Sequence, residues 1–364
     1  MAFKTFLSSI GVIKIPRRYY ASRDCQCTSA PWDDWAGIPH GHKQTLCARR
    51  MLVYAGTDDS FDTSSEKLKE LCHLDISNDV IRALSDEEGE SVIEWLEQAP
   101  ESAERFKQAR GEVELYTDGT MVNTVDGWRE MRLSLFCKRE PTTAATPEQW
   151  NDRVLEQPTA RVAIAAIAKS NVVGSSWTRM LKHLGLKDSP RLSMLADGAR
   201  WIWDEAAKRL VMINQVDWVV DIYHVSEHIN DCAKKMFESP AATRWAEERV
   251  GELVALEGPA FIARLQELRV KLTEDKSQKA LDSLIGYLSE NRDSMWYRTR
   301  LAQGLTIGSG MVEGGCKNTI GKRLKLNSAR WRIRRAEHIA ALRCLKYSGL
   351  WATYWDTKYQ KHVA

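Results

Sequence analysis

No stretch of this 364-residue sequence is apolar for long enough to cross a bilayer, so a membrane-embedded chain is not expected. It also lacks internal repeats and low-complexity tracts, which sets aside solenoids and disordered arrays. Cysteine is too sparse for a disulfide framework: eight residues are scattered from Cys25 to Cys344. Without a secretory leader, they read as reduced thiols of a cytoplasmic protein. The first thirty residues are poor in acids and carry Arg17, Arg18 and Arg23, only a loose likeness to an organelle transit peptide.

What is present is the composition of a globular protein, with 43% hydrophobic and 28% charged residues, enough for one large domain with appendages. The net charge of +3 is unevenly spread. From Glu313 to Lys346 there are ten basic residues against two acidic ones, so that block carries +8 and the rest of the chain −5. Concentrated positive charge suits a polyanion better than it serves solubility.

Along the chain, GVIKIPRRYY (11–20) alternates like a short strand, and Cys25 and Cys27 follow as half of a zinc knuckle. A structural zinc wants four ligands, and the nearest further candidates are His40, His42 and Cys47, so no complete site is expected. From His42 to Glu97 the pattern is helical. Two amphipathic stretches joined at Leu74-Asp75-Ile76, with Ser77 as a cap, make 36–110 a candidate helix-turn-helix region, although many helical pairs look alike.

At Gly111 the period switches to two. GEVELYT, TMVNT and WREMRLSLF read as three strands turned at Asp118-Gly119 and Asp126-Gly127. A polar link at 140–158 leads to ARVAIAAIAKSN and WTRMLKHLGL, both read as helical. The strand RLSMLAD, the helix ARWIWDEAAKRL, the strand QVDWVVDIYH and a helix from about Val225 follow. The order βββαβαβα predicts an α/β, ribonuclease H-like mixed sheet. Helical patterns at about 232–303 form an insertion before the last helix, which opens after the Gly-Ser-Gly at 308–310 with Glu313.

Two-metal phosphoryl transfer needs hard oxygen ligands from separate elements, able to hold cations about 3.5–4 Å apart. Asp118, Asp197 and Glu313 meet that need if the first and fourth strands are neighbours. Each Asp has a plainer reading: Asp118-Gly119 is also a hairpin signal, and Asp197-Gly198 also a helix cap. His224 and His228 stand four apart on one helix face, a spacing that suits either a metal or ordinary packing. Lys317, Lys322, Arg323 and Lys325 follow Glu313 and suit phosphate contacts or ion pairs with nearby acids. Arg330, Arg332, Arg334 and Arg335 surround Trp331. Arginine forks fit phosphate oxygens, and the indole suits base stacking or core lining.

The segments YTDGTMVNTVDGWREMRLSLF, LADGARWIWDEA with DIYHVSEHI, and IGSGMVEGGCKNTIGKRLKLNSARW resemble the signature blocks of insertion-sequence DDE transposases of the ISKra group. The likeness spans roughly residues 11–347. It implies a catalytic domain over 111–347, with Asp118, Asp197 and Glu313 as metal-binding acids and His224 in support. It further implies two Mg²⁺ or Mn²⁺ ions, double-stranded transposon-end and target DNA, and a homo-oligomer at synapsis. The family's longer cysteine-bearing start makes residues 1–35 read as a remnant of that element, and 348–364 reads as a tail. The reading that follows is a transposase. The alternatives are a decayed or domesticated DNA-binding protein and another ribonuclease H-like nuclease.

Overall fold

The computed structural model describes residues 2–24, 27–36, 38, 41–187 and 189–363. The chain opens with an antiparallel hairpin of β1 (Ala2–Ser8) and β2 (Gly11–Arg17), followed by the short pair β3 (Tyr20–Ala21) and β4 (Thr28–Ser29). Five helices follow: α1 (Pro31–Trp35), α2 (Leu46–Asp58), α3 (Phe61–Cys72), α4 (Asn78–Gln98) and α5 (Pro100–Gln108).

The central sheet holds β5 (Glu112–Thr124), β6 (Gly127–Arg139), β7 (Ala160–Ala166), β8 (Leu192–Ala196) and β9 (Val216–Val220) in the spatial order β7-β6-β5-β8-β9. Its first three strands are antiparallel neighbours, whereas β8 lies parallel to β5 and β9 parallel to β8. Helix α6 (Ser170–His183) crosses between β7 and β8, and α7 (Arg200–Arg209) joins β8 to β9. The fold is therefore mixed α/β on a five-stranded mixed sheet, as expected at that level.

Two local expectations are corrected. The strand β5 runs without interruption through Asp118-Gly119, so what reads as two strands is one. A chain reversal at Asp-Gly needs positive φ at its glycine. Gly127 has it, at 91°, and Gly119 is not among the positive-φ glycines, so the chain reverses only at the second of the two Asp-Gly pairs. Likewise, ARVAIAAIAKSN forms β7 and not a helix at residues 160–166. Alanine favours helix in isolation, but seven residues here pair in register with β6, and tertiary pairing overrides intrinsic propensity.

After β9 comes α8 (Ile222–Met236), and then the inserted helices α9 (Ala241–Lys271), α10 (Asp275–Glu290) and α11 (Tyr297–Ala302). Glu257 breaks α9 at φ 65° and receives the Thr299 N–H at 2.8 Å, which ties the break to α11. The chain ends with α12 (Gly310–Cys316), a wide π turn (Lys317–Gly321), α13 (Lys322–Leu324), α14 (Ile333–Tyr347) and α15 (Trp351–Val363). The stretch read as a tail is thus a packed helix with Trp355 fully buried.

Helices cover both faces of the sheet. Trp177 of α6 donates its indole N–H to Ser134 on one face, at 2.7 Å. On the other, α12 lies so close that a Cβ on Gly315 would stand 2.9 Å from Leu133. Helix α4 then crosses α14, where a Cβ on Gly89 would come within 2.5 Å of the Cβ of His338. Helix α4 carries seven acidic residues against Arg82 alone, a charge that repels a phosphate backbone. It is a core helix and is unsuited to act as the reading helix of a helix-turn-helix.

Glu88 on α4 is fully buried and accepts bonds from Arg49 on α2 and from Tyr354 and Lys358 on α15, the last at 2.5 Å. Burial alone would push its pKa up, but the charges of Lys358 and Arg49 hold it below the ordinary carboxylate value. A depressed carboxyl pKa adds stability above the unfolded pKa and loses it as pH falls through the folded one. Glu88→Ala would strand Lys358 and leave Arg49 only Glu87, an expected cost of about 3 kcal/mol at neutral pH. Denaturant unfolding measures it, and a cost below about 1 kcal/mol would show the network to be dispensable.

Candidate active site

Strands β5 and β8 run side by side with Tyr116 in register with Leu195. Two residues beyond each partner come Asp118 and Asp197, so the pairing carries both acids to one level at the carboxyl end of β8. Asp118 lies opposite Leu133, on the face covered by α12. That helix supplies Glu313, and Cys316, three residues on, hydrogen-bonds to the Asp118 carboxylate. Three acids that lie far apart in sequence are thereby brought together.

Each acid is fixed locally. Asp118 Oδ1 accepts the N–H of Gly119 at 2.7 Å. Asp197 Oδ1 accepts the N–H of Ala199 at 2.8 Å, an Asx turn just ahead of α7, whose own cap residue Ala199 makes no side-chain cap bond. Gly198 makes that turn at φ 88°, and a Cβ there would press on Asn291 and Tyr287 of the insertion at 3.1 and 3.3 Å.

The electrostatics are those of crowded carboxylates. Burial raises the pKa of Asp118, and Asp197 and Glu130 raise it further, against the lowering bonds from Gly119 and Cys316. Glu313 is raised first by desolvation, then by Asp221 and Asp118. The charges acting most on both are other carboxylates, and like charges held together favour protonation or a bound cation. Among the described residues no three His, Cys, Asp or Glu side chains stand at ready metal-ligand spacing. The carboxylate oxygens of the set, whose strongest charged neighbours are other carboxylates, fit a hard divalent cation.

Asp221 is the participant that the sequence reading missed. It is 3% exposed and caps α8 through the N–H of Tyr223 at 3.0 Å. It also accepts the Ser309 N–H at 3.1 Å and the Ser309 hydroxyl at 2.5 Å. Next to it, Ile222 donates to the carbonyl of Ile307 at 3.1 Å. The end of β9 thus grips the loop that launches the Glu313 helix. An Asp at a strand-to-helix junction is a cap signal, and DIYHVSEHI displays it.

His224 turns its Nδ1 to Glu227 at 3.5 Å. His228 stacks on Tyr287 with ring centroids 3.8 Å apart, and Tyr287 donates to the backbone carbonyl of Asp197 at 3.4 Å. The two histidines therefore line the site's flank and reach it through the insertion.

The basic residues divide. Lys317, Lys322, Lys325, Arg330 and Arg332 are exposed. Lys325 reaches Thr120 on β5, and Arg330 donates to the carbonyl of Val125 at 3.0 Å. Arg334 and Arg335 are already paired with Glu90 and Asp86 of α4. Arg323 and Trp331 correct the surface reading. Arg323 is 3% exposed between Phe61 and Trp331, and burial lowers its pKa to about 10. Trp331 is buried with its indole N–H on the carbonyl of Leu324 at 3.1 Å, which makes it core lining.

Of the amino-terminal zinc candidates, Cys25 and His40 lie outside the described residues. His42 contacts Arg49 at 2.7 Å and Cys47 meets Tyr359 at 3.2 Å, so both have other partners.

A five-stranded mixed sheet with a carboxylate cluster at its parallel edge defines a mixed α/β protein with an acidic site. The chain belongs to the uncharacterised protein family UPF0236, whose model matches residues 1–354. Comparison with curated proteins gave no match.

Proposed function

We propose that this chain is a DNA transposase with a ribonuclease H-like DDE domain, which cleaves insertion-sequence ends and joins the freed 3′-hydroxyl to target DNA. The observation that carries the reading is the placing of Asp118, Asp197 and Glu313 on β5, the end of β8 and α12, close enough that, on top of burial, Asp197 raises the pKa of Asp118 and Asp118 that of Glu313. The strand order and the helical insertion between β9 and α12 support it. So does the exposed basic run after Glu313.

Asp118, Asp197 and Glu313 would hold two Mg²⁺ or Mn²⁺ ions. Such ions supply Lewis acidity and a water of lowered pKa. The protein's own part is to hold the three carboxylates on separate rigid elements and to seat the DNA backbone on Lys317, Lys322, Lys325 and Arg332. No side-chain nucleophile is required. The nearest thiol, Cys316, is buried with its pKa pushed well up, which keeps it unreactive. Synapsis of two transposon ends would bring copies of the chain together as a homo-oligomer.

The test is purified protein with Mg²⁺ on DNA carrying the flanks of its own gene. Cleavage with strand transfer supports the reading. Cleavage without joining would make it a nuclease, and binding without cleavage a decayed DNA-binding protein.

The basic surface makes its own prediction. Lys322→Gln, Lys325→Gln and Arg332→Gln together should flatten the log–log salt dependence of duplex binding by about 0.9 for each phosphate no longer neutralised. Arg334→Gln with Arg335→Gln should change it less, because Glu90 and Asp86 already neutralise them. The reverse ranking would place the DNA over α4.

A further inference from the structure

Beyond Asp118 the β5–β6 pair leaves the sheet. Strand β8 accompanies β5 only as far as Tyr116, and β7 accompanies β6 only from Arg132 onward. Residues 119–131 are therefore a two-stranded ribbon, and from Asp118 to Thr124 it reaches about 20 Å.

Its two faces differ. On one, Val122, Thr124 and Met131 are buried. The tip is fastened to the basic segment there: Val125 donates to the carbonyl of Trp331 at 2.8 Å, and Trp331 to that of Asn123 at 3.0 Å. The other face is bare. Trp128 is 62% exposed and Met121 46%. Trp128 stands opposite Asn123, so Met121 is its diagonal neighbour on the same face. At the root of that face Arg132 stacks on Trp201 at 4.1 Å and pairs with Glu130. Arg330 is exposed beside the tip, and the Arg200 side chain is 92% exposed at the start of α7, whereas Arg129, opposite Val122, belongs to the first face.

A rigid ribbon that shows an indole to solvent, amid arginines and next to an acidic site, suits a partner with flat rings and negative charge. A second copy of this chain meeting it two-fold would oppose the positive charge of Arg200 and Arg330 with the same charge, which favours the nucleic acid. We propose that this face is a DNA contact surface on which Trp128 stacks against an unpaired base, about 17 Å along the ribbon from Asp118. The inference rests on the nucleic-acid reading of the acidic site. It adds a role for Trp128 and Met121 that the site alone does not require.

The test uses the full chain with two probes: a blunt duplex, and the same duplex ending in unpaired arms that carry 2-aminopurine. Base stacking on an aromatic ring is strong enough that wild type should bind the forked probe about tenfold more tightly than the blunt one and change the 2-aminopurine signal. Trp128→Ala should lose both effects and keep its affinity for the blunt duplex, and Trp128→Phe should recover most of the fork preference. The same fork preference in wild type and Trp128→Ala would overturn the proposal and leave the transposase reading standing, as would a wild type indifferent to the fork. Absence of any DNA binding would sink both. Conversion of a wild-type dimer to monomer by Trp128→Ala would assign the face to a second copy and overturn it as well.

Discussion

Asp118→Asn and Glu313→Gln are each expected to lower Mg²⁺-dependent DNA cleavage by about three orders of magnitude while leaving duplex affinity within about twofold. A metal clamp contributes several kcal/mol to the transition state, and about 4 kcal/mol corresponds to three powers of ten in rate. Affinity should survive because it comes from the exposed lysines and arginines beyond α12, not from the acids. A second consequence distinguishes loss of a ligand from simple damage. Both carboxyls have raised pKa values, so the folded protein binds their protons more tightly than the unfolded chain does. Metal-free stability is therefore eroded as pH rises through and above the ordinary carboxylate range. In EDTA at neutral pH, Asp118→Asn should melt above wild type, and that gap should close in acid. A variant that cleaves like wild type removes its residue from the site.

Asp221→Ala is expected to cut cleavage by about a hundredfold although Asp221 need never touch DNA or metal, because its carboxylate is taken up by Tyr223 and Ser309. Removing it leaves the buried Ser309 N–H and the part-buried Tyr223 N–H without acceptors, at about 1–3 kcal/mol for each unsatisfied group, and leaves the Ser309 hydroxyl only Glu313 at 3.4 Å. It also frees the loop before α12, so Glu313 loses its fixed approach, and small misplacements of a reacting group cost rates of this order. Ser309→Ala should be milder and Ser309→Thr milder still, since the hydroxyl returns. Hydrogen exchange over residues 306–316 should quicken in the same order. A folded Asp221→Ala protein with undiminished cleavage would show that α12 holds Glu313 unaided.

The period of two over residues 111–139 made the first strands legible in the sequence, and β8, buried at every residue, was legible instead as a short apolar run that ends at Asp197-Gly198. The same rule failed at β7. Its alanines carry no strong period, and only pairing with β6 and cover by α14 decide their state. Asp118-Gly119 misled for a related reason. The pair permits a turn without enforcing one, and Asp126-Gly127 was the pair that closed it. Asp197 and Glu313 could be singled out because each begins or ends an element beside glycine. Asp221 could not, since its importance lies in a loop 88 residues away that no local pattern announces. Trp331 and Arg323 looked like surface chemistry because they sit in a basic run, yet burial is set by packing against Phe61 and Leu324.

The crossing of α4 over α14 at Gly89 changes what a domain boundary means in this chain. A helix from the first hundred residues fills a groove made by one of the last, and Glu88 beside it binds α15 as well as α2. Residues 36–110 are therefore not a detachable reading head mounted on an engine. They form one structural layer with the carboxyl-terminal helices, and neither half of that layer has a finished surface until the other has been synthesised. Folding of the helical cover must wait until α14 and α15 have been synthesised, and a catalytic fragment cut at Gly111 would inherit the acids but expose the apolar face of α14 that α4 now covers.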